Sequence, residues 1–154
     1  METVNPYVHF KMLRMISVMK ATESDYNLIV SIGKISVAES HRGSCSAEDM
    51  NEFLERNYNS DAIKEELSDI NNIYYIINYN DKPVGFSKII LNAKHPNIIA
   101  ENVTKLDRIY LLKEYYGLKL GLELLNGDGY YERAKKSIIC LLQSTKVFSP
   151  FCSL

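Results

Sequence analysis

The stretch Leu106–Leu125, LDRIYLLKEYYGLKLGLELL, decides the fold. It reads as a buried apolar run, a short loop holding Gly117 and Gly121, and then an apolar helix. Glycine lacks the Cβ that keeps a ligand away from the backbone. A helix start presents N–H groups without intrahelical partners at the positive end of the helix dipole. Strand, glycine loop and helix in this order suit a phosphate-bearing ligand. Taken alone, the two glycines read equally well as a plain strand-to-helix turn, because a short glycine spacing is a weak signal.

Working outward, the strand entering the loop spans Lys105 to Leu112. Before it, IYYIINY (Ile73–Tyr79) and VGFSKIIL (Val84–Leu91) are rich in β-branched and aromatic residues and are joined by the turn Asn80-Asp-Lys-Pro83, which predicts an antiparallel pair. Ile16–Lys20 is a further short strand. Between it and Ile73 the apolar period is helical. Thr22-Glu-Ser-Asp25 and Ser46-Ala-Glu-Asp49 have the form of capping boxes. The spacing predicts helices burying Leu28, Ile29, Ile32 and Ile35, then Met50, Phe53, Leu54 and Tyr58, then, from Ser60, Ile63, Leu67 and Ile70. The order strand, helices, three strands, loop, helix implies an α/β or α+β domain with a mixed sheet.

The chain has 154 residues, 46% of them hydrophobic and 24% charged, which fits one globular domain with a sizeable core. A formal charge of -1 gives no general electrostatic reason to expect nucleic acid or an anionic membrane as partner. Cys45, Cys140 and Cys152 are odd in number and lack a CxxC spacing, which argues against a disulfide framework or zinc site and for a reducing compartment. No apolar run approaches the roughly 20 residues of a membrane span. The amino end lacks a continuous signal-like segment, so a cytoplasmic location is expected. His9, His41 and His95 lie in loops or helix ends, and none reads as a metal ligand.

From Ile16 to Leu125 these residues resemble the GNAT acyltransferases, which move an acetyl group from acetyl-CoA to an amine. The resemblance rests on ISVMKATESD for the first strand and turn, IYYIINYNDKPVGFSKI for the second and third strands, and LDRIYLLKEYYGLKLG for the fourth strand and cofactor loop. The capped segment SAEDMNEFLERNYNSDAIKEELSDINN is similar to the branch that includes spermidine/spermine N-acetyltransferases. The resemblance implies a GNAT-like, mainly antiparallel sheet flanked by helices, with residues 1–125 as the acetyl-CoA-binding domain. Two of three signature positions depart from the family loop R/Q-x-x-G-x-G/A: Tyr116 replaces the leading R/Q and Lys119 the first motif glycine, while Gly121 is kept.

Beyond Leu125 the family continues its helix and adds a fifth strand, another helix and two closing strands, on the order of 50 residues. The stretch from Asn126 to Leu154 is too short for all of it. It reads as a divergent tail, 126–154, that completes the helix after the loop and supplies a fifth strand at SIICLL, without the closing strands and without the N-x-x-A-x-x-F/Y-Y helix that carries the family's tyrosine acid. A frameshifted or truncated reading frame, or a divergent tail, produces this pattern. An uncovered sheet edge of this kind predicts self-association into homo-oligomers.

The resemblance also assigns residues. Ile109, Tyr110, Leu111, Leu112 and Lys113 would pair with pantetheine, and Tyr116, Gly117, Leu118, Lys119, Leu120 and Gly121 would meet the pyrophosphate. Acetyl transfer needs a proton taken from the amine and a donor for the oxyanion and the thiolate. Asp107 and Glu101 are the nearest carboxylates in sequence for the first task, and Tyr110 is the strand's hydroxyl for the second. Asp107 beside Arg108 reads equally as an ion-pair residue, and Tyr110 and Tyr115 read first as packing aromatics. Glu39 and His41 sit where the family shapes its acceptor site. The acceptor implied is a small, polyamine-like amine or a protein amino group. The alternatives are a catalytically impaired CoA-binding or protein-interaction remnant and a regulatory protein without CoA affinity.

Overall fold

The computed structural model describes residues 15–94, 103–127 and 139–140. One sheet has the strand order β1-β2-β3-β4-β5, with β1 Ile16–Lys20, β2 Asn72–Tyr79, β3 Lys82–Ile90, β4 Thr104–Leu111 and β5 Ile139–Cys140. The first four strands are antiparallel, and β5 runs parallel to β4. Helices α1 (Tyr26–Ser40), α2 (Ala47–Asn57) and α3 (Ser60–Ser68) separate β1 from β2, and α4 (Leu120–Gly127) follows β4. This is the mixed, mainly antiparallel sheet flanked by helices that the sequence implies. The short β5 falls within SIICLL, whereas the rest of the tail after Gly127, including any closing strands, lies outside the described residues.

The caps form as their sequences require. The Asp25 carboxylate accepts from the Thr22 N–H at 2.7 Å, Ser46 Oγ from the Asp49 N–H at 3.1 Å, and Asn59 Oδ1 from the Ala62 N–H at 2.8 Å. Two expected core residues are outside. Ile35 is 49% exposed because the buried stripe of α1 is Ile29, Ile32, Gly33, Ser36 and Val37, and Ile35 projects from outside it, about 100° round the helix from Ser36. Ile70 is 88% exposed because α3 ends first: Asp69 is extended, and its carboxylate accepts from the Asn71 N–H at 2.9 Å. The turn between β2 and β3 is tighter than Asn80–Pro83. Only Asn80 and Asp81 connect the strands, both at positive φ, as a two-residue hairpin with right-handed strand twist requires. Pro83 lies inside β3 but before Gly85, where pairing with β4 begins, so its missing N–H costs no ladder bond on that side.

The sheet is covered on both faces. Tyr74, Ile76, Phe86 and Tyr110 pack against α1, α2 and α3, while Ile77, Val84, Ile109 and Leu111 pack against Leu120 and Leu124 of α4. Gly33 of α1 makes room for the buried ring of Tyr58: a Cβ there would stand 2.3 Å from two ring carbons. Gly85 has the same role between β3 and β4, where a Cβ would lie 2.4 Å from the Tyr110 carbonyl oxygen.

Strand β4 carries the irregularity that shapes the site. Lys88 pairs with Arg108 and Ile89 with Leu106, so Asp107 is an extra residue, a β-bulge that turns Asp107 and Arg108 toward the same neighbours. Below it Glu66 of α3 accepts from Lys88 Nζ at 2.8 Å, from Arg108 Nη2 at 2.9 Å and from the Tyr74 hydroxyl. Asp107 accepts from Lys105 Nζ at 2.7 Å, with Arg108 Nε at 3.5 Å and Lys88 Nζ at 3.6 Å. Burial alone would raise the Glu66 carboxyl, but the Arg108 charge and the bonds from Lys88 and Tyr74 hold it below its ordinary value. Burial would likewise raise Asp107, and the Lys105 bond with the Lys88, Lys105 and Arg108 charges brings it below the usual range.

Two outcomes follow. Alanine at an exposed helical glycine normally adds about 1 kcal/mol. Gly33→Ala should instead lower unfolding stability by about 1–2 kcal/mol in denaturant titration, because overpacking the Tyr58 ring costs about 1–3 kcal/mol. Glu66 and Asp107 have folded pKa values below their unfolded ones, so their contribution is complete above the ordinary carboxylate range and is lost as pH falls through the depressed values. The melting temperature should therefore fall on acidification below about pH 4.5, with a shallower slope for Asp107→Asn. An unchanged slope in that variant would show that the bulge carboxylate carries no such linkage.

Candidate active site

Thr104 and Lys105 of β4 pair with Ile139 and Cys140 of β5, and among the described residues no strand pairs with the outer edge of β4 from Leu106 to Leu111. The Leu112 N–H donates to the Val84 carbonyl at 2.9 Å, so strand alternation aims the backbone of Tyr110 and Leu112 toward β3 and that of Ile109 and Leu111 outward. The Leu111 carbonyl accepts from Ser36 Oγ at 3.3 Å, and the Lys113 N–H donates to Glu39 Oε2 at 3.4 Å. The outward groups left for an extended ligand are thus the N–H and C=O of Ile109 and the N–H of Leu111, a narrower set than Ile109–Lys113.

Beyond a 3-10 turn at Lys113–Tyr115 the chain enters the glycine loop. The Tyr116 N–H is spent on the Lys113 carbonyl at 3.1 Å. Gly117 and Lys119 both have positive φ, 79° and 61°. The position that the family loop fills with glycine is therefore left-handed here as well, and lysine adopts it at a cost of roughly 1–2 kcal/mol. The Lys119 carbonyl accepts from Leu122 at 3.1 Å and Glu123 at 3.2 Å, which opens α4 at Leu120 and leaves the Leu120 and Gly121 N–H groups ahead of the helical ladder. Among the described residues the N–H groups of Gly117, Leu118 and Lys119 make no protein hydrogen bond. A side chain at Gly121 would meet only Leu111 Cδ1, 3.7 Å away, so this glycine leaves space rather than relieving a clash. This loop can cradle an anion through main-chain donors.

Beside β4 lies a cleft of about 560 Å³ lined by Ile35, Glu39, Leu112, Lys113 and Glu114. Glu39 is thus at the junction of α1 and the end of β4. His41 is the C-terminal cap of α1, buried, with its Nδ1 3.0 Å from the Val37 carbonyl. Glu101 lies outside the described residues. Asp107 is engaged by three cations, which leaves its carboxylate weakly basic. The Tyr110 ring packs 5.7 Å from Phe86 and 6.4 Å from Tyr58, centroid to centroid. Burial raises both phenols above their ordinary value, so both are protonated at neutral pH.

The cluster of Glu66, Lys88 and Tyr74 around Arg108 was not predicted from sequence. One signal was available: a lone lysine inside VGFSKIIL must find a carboxylate if that strand is buried. Glu66 gave none, because a glutamate between Ile63 and Leu67 reads as an ordinary polar helix position. Among the described residues no group of three or more His, Cys, Asp or Glu is arranged to hold a metal ion, and no helix is long and apolar enough to cross a membrane.

No family model matches the chain. Over 109 residues it is 24% identical to a curated protein of Lactobacillus delbrueckii subsp. lactis described as an uncharacterized N-acetyltransferase in the pepI 3' region, covering 71% of this chain and 63% of the relative's length. Among solved structures it is similar to the PaiA N-acetyltransferase of Thermoplasma acidophilum in complex with coenzyme A, at a TM-score of 0.67 and 21% identity, over 86% of this chain and 83% of the other. It is also similar to the aminoglycoside acetyltransferase meta-AAC0020 from an uncultured soil metagenomic sample in complex with sisomicin, at a TM-score of 0.60 and 12% identity, over 88% and 81%. Together with the mixed, mainly antiparallel sheet and the glycine loop after β4, these likenesses show that the chain has the fold of the GNAT-family N-acetyltransferases.

Proposed function

We propose that the protein is an N-acetyltransferase that uses acetyl-CoA and a small amine. The observation that carries this reading is the edge of β4, without a strand partner from Leu106 to Leu111 among the described residues, running directly into a loop with two left-handed residues and open main-chain donors. Acetyl-CoA would supply an activated thioester. Ile109 and Leu111 would hold its pantetheine by main-chain bonds, and Gly117–Gly121 its pyrophosphate. The protonated Tyr110 would give a proton to the departing sulfur, while water or Glu39 takes one from the amine.

The cleft supports a polyamine-like acceptor of the kind used by the spermidine/spermine branch. Glu39 and Glu114 supply negative charge for ammonium groups, and Ile35 and Leu112 supply apolar wall for the methylenes between them. A protein amino group would meet the same charge. A cytoplasmic setting suits the three unpatterned cysteines. The edge position of β1, with Met15, Ile16 and Met19 exposed, supports a homo-oligomer built by strand addition.

A second reading, a CoA-binding protein with little turnover, draws on the engagement of Asp107 by three cations. The experiment that separates the two is calorimetric titration with acetyl-CoA alongside acetylation of spermidine. Binding with turnover is expected; binding without turnover favours the second reading, and no binding at millimolar cofactor refutes both. Gly121→Val should abolish binding by filling the space before the helix start. Lys119→Gly should leave stability unchanged or raise it by up to about 1 kcal/mol, since relief of the left-handed lysine offsets the added freedom of the unfolded chain. In sedimentation the protein should form dimers at high concentration, and Met19→Lys should shift it to monomer; a compact wild-type monomer would count against association through β1.

A further inference from the structure

We propose that Tyr79, at the end of β2 and outside every group assigned to the cofactor, is a positioning residue for the loop between β4 and α4: its ring holds Tyr115 and so sets where the open N–H groups of Gly117, Leu118 and Lys119 stand. The inference rests on the acetyl-CoA reading of that loop. Main-chain bonds fix the loop only at its two ends. The Tyr115 and Tyr116 N–H groups donate to the Leu112 and Lys113 carbonyls at 3.0 and 3.1 Å, and the next bonds run to the Lys119 carbonyl from within α4. The segment between them has no ladder of its own, and Gly117, at a φ of 79°, has open space where a Cβ would stand. A glycine so placed is a pivot with wide conformational freedom. Such a segment keeps one shape only if side chains on both sides of the pivot are anchored.

The sequence supplies both anchors. Tyr116, Gly117 and Lys119 are exposed, whereas Tyr115 and Leu118 pack into the cluster formed by Ile77, Val84, Leu120 and Leu124. Leu118, after the pivot, is tied down by its place two residues before Leu120, which is 1% exposed. Tyr115, before the pivot, meets the ring of Tyr79 with centroids 5.9 Å apart and planes inclined at 63°. An edge-to-face pair of this kind fixes orientation as well as distance. Tyr79 is a firm support, because it is paired with Ile16 of β1 on one side and Lys82 of β3 on the other, and the next residue, Asn80, donates its N–H to the Met15 carbonyl at 2.8 Å. Without the Tyr79 ring the chain ahead of Gly117 loses its aromatic contact, the three donors spend part of their time in other arrangements, and acetyl-CoA meets a binding-competent loop less often. Tyr110 packs in the cluster on the opposite face of the sheet, so the transfer step itself is left as it was.

The test compares Tyr79→Val, Tyr79→Phe, Tyr115→Val and the double Tyr79→Val, Tyr115→Val variant in the full chain. Valine keeps the strand preference of position 79 and removes the ring; phenylalanine keeps the ring. The readouts are acetyl-CoA affinity by calorimetry, turnover with spermidine, thermal unfolding, and the rate of trypsin cleavage after Lys119 followed by mass spectrometry. Tyr79→Val should bind acetyl-CoA about 3–10-fold more weakly, with kcat at saturating acetyl-CoA and KM for spermidine within about twofold of wild type, and Tyr79→Phe should match wild type throughout. The double variant should bind no more weakly than the weaker single, because both changes break one contact. Cleavage after Lys119 should be faster in Tyr79→Val than in Tyr79→Phe. Undiminished affinity in folded Tyr79→Val, an equal loss in Tyr79→Phe, or losses that multiply in the double variant would overturn the proposal; if Tyr79→Val does not fold, undiminished affinity in Tyr115→Val does so. Wild-type protein that binds no acetyl-CoA would instead sink the acetyl-CoA reading, and unchanged cleavage after Lys119 in Tyr79→Val would then decide against Tyr79 as the support of the loop.

Discussion

The structure depends on a buried balance of charge at one irregular point of β4. An extra residue in a strand breaks ladder bonds and bends the chain, and a bent strand stays in place only if something holds it. Two carboxylates and three cations meet there, drawn from α3, β3 and β4. Removing Glu66 or Asp107 would leave three cations facing a single carboxylate, a loss smaller at this half-buried site than the about 3–5 kcal/mol of breaking a fully buried pair. The interaction that fixes the bulge thus also fixes the course of β4 toward Ile109 and Leu111, whose main-chain groups face away from β3.

Periodicity made the frame legible. The hairpin IYYIINY–VGFSKIIL, the three capped helices and the strand before the glycine loop all formed where the alternation of apolar residues put them, because burial dictates both period and element. Local chemistry overruled periodicity at the margins. Asp69 ended α3 before Ile70 could be buried, and the rotation of α1 that buried Gly33 against Tyr58 turned Ile35 into the cleft. The charged cluster was illegible for a different reason. Its members are 22 and 42 residues apart in sequence, and pairing between distant polar side chains leaves no repeat to read.

The glycine loop shows a third case. Two changed signature residues suggested a degraded loop, but backbone conformation is what the motif specifies, and Lys119 adopts the left-handed conformation that glycine would. The substitution exchanges backbone comfort for a cation beside the donors. A ligand carrying several negative charges could recover that strain through attraction, so the sequence departure and the preserved geometry are compatible.

The sheet order, identical to the order of the strands along the chain, bears on how the fold is reached. β2 and β3 meet through a two-residue turn, and β4 begins 14 residues after β3 ends, so these three close cheaply. β1 is different: Ile16 pairs with Tyr79 across all three helices. Closing that long loop carries the larger entropic cost, and β1, which bears it, has fewer buried side chains than β2, β3 or β4 with which to repay it. The first strand in sequence is therefore the last with reason to dock, and the chain must hold its hydrophobic meander together while that edge is still open.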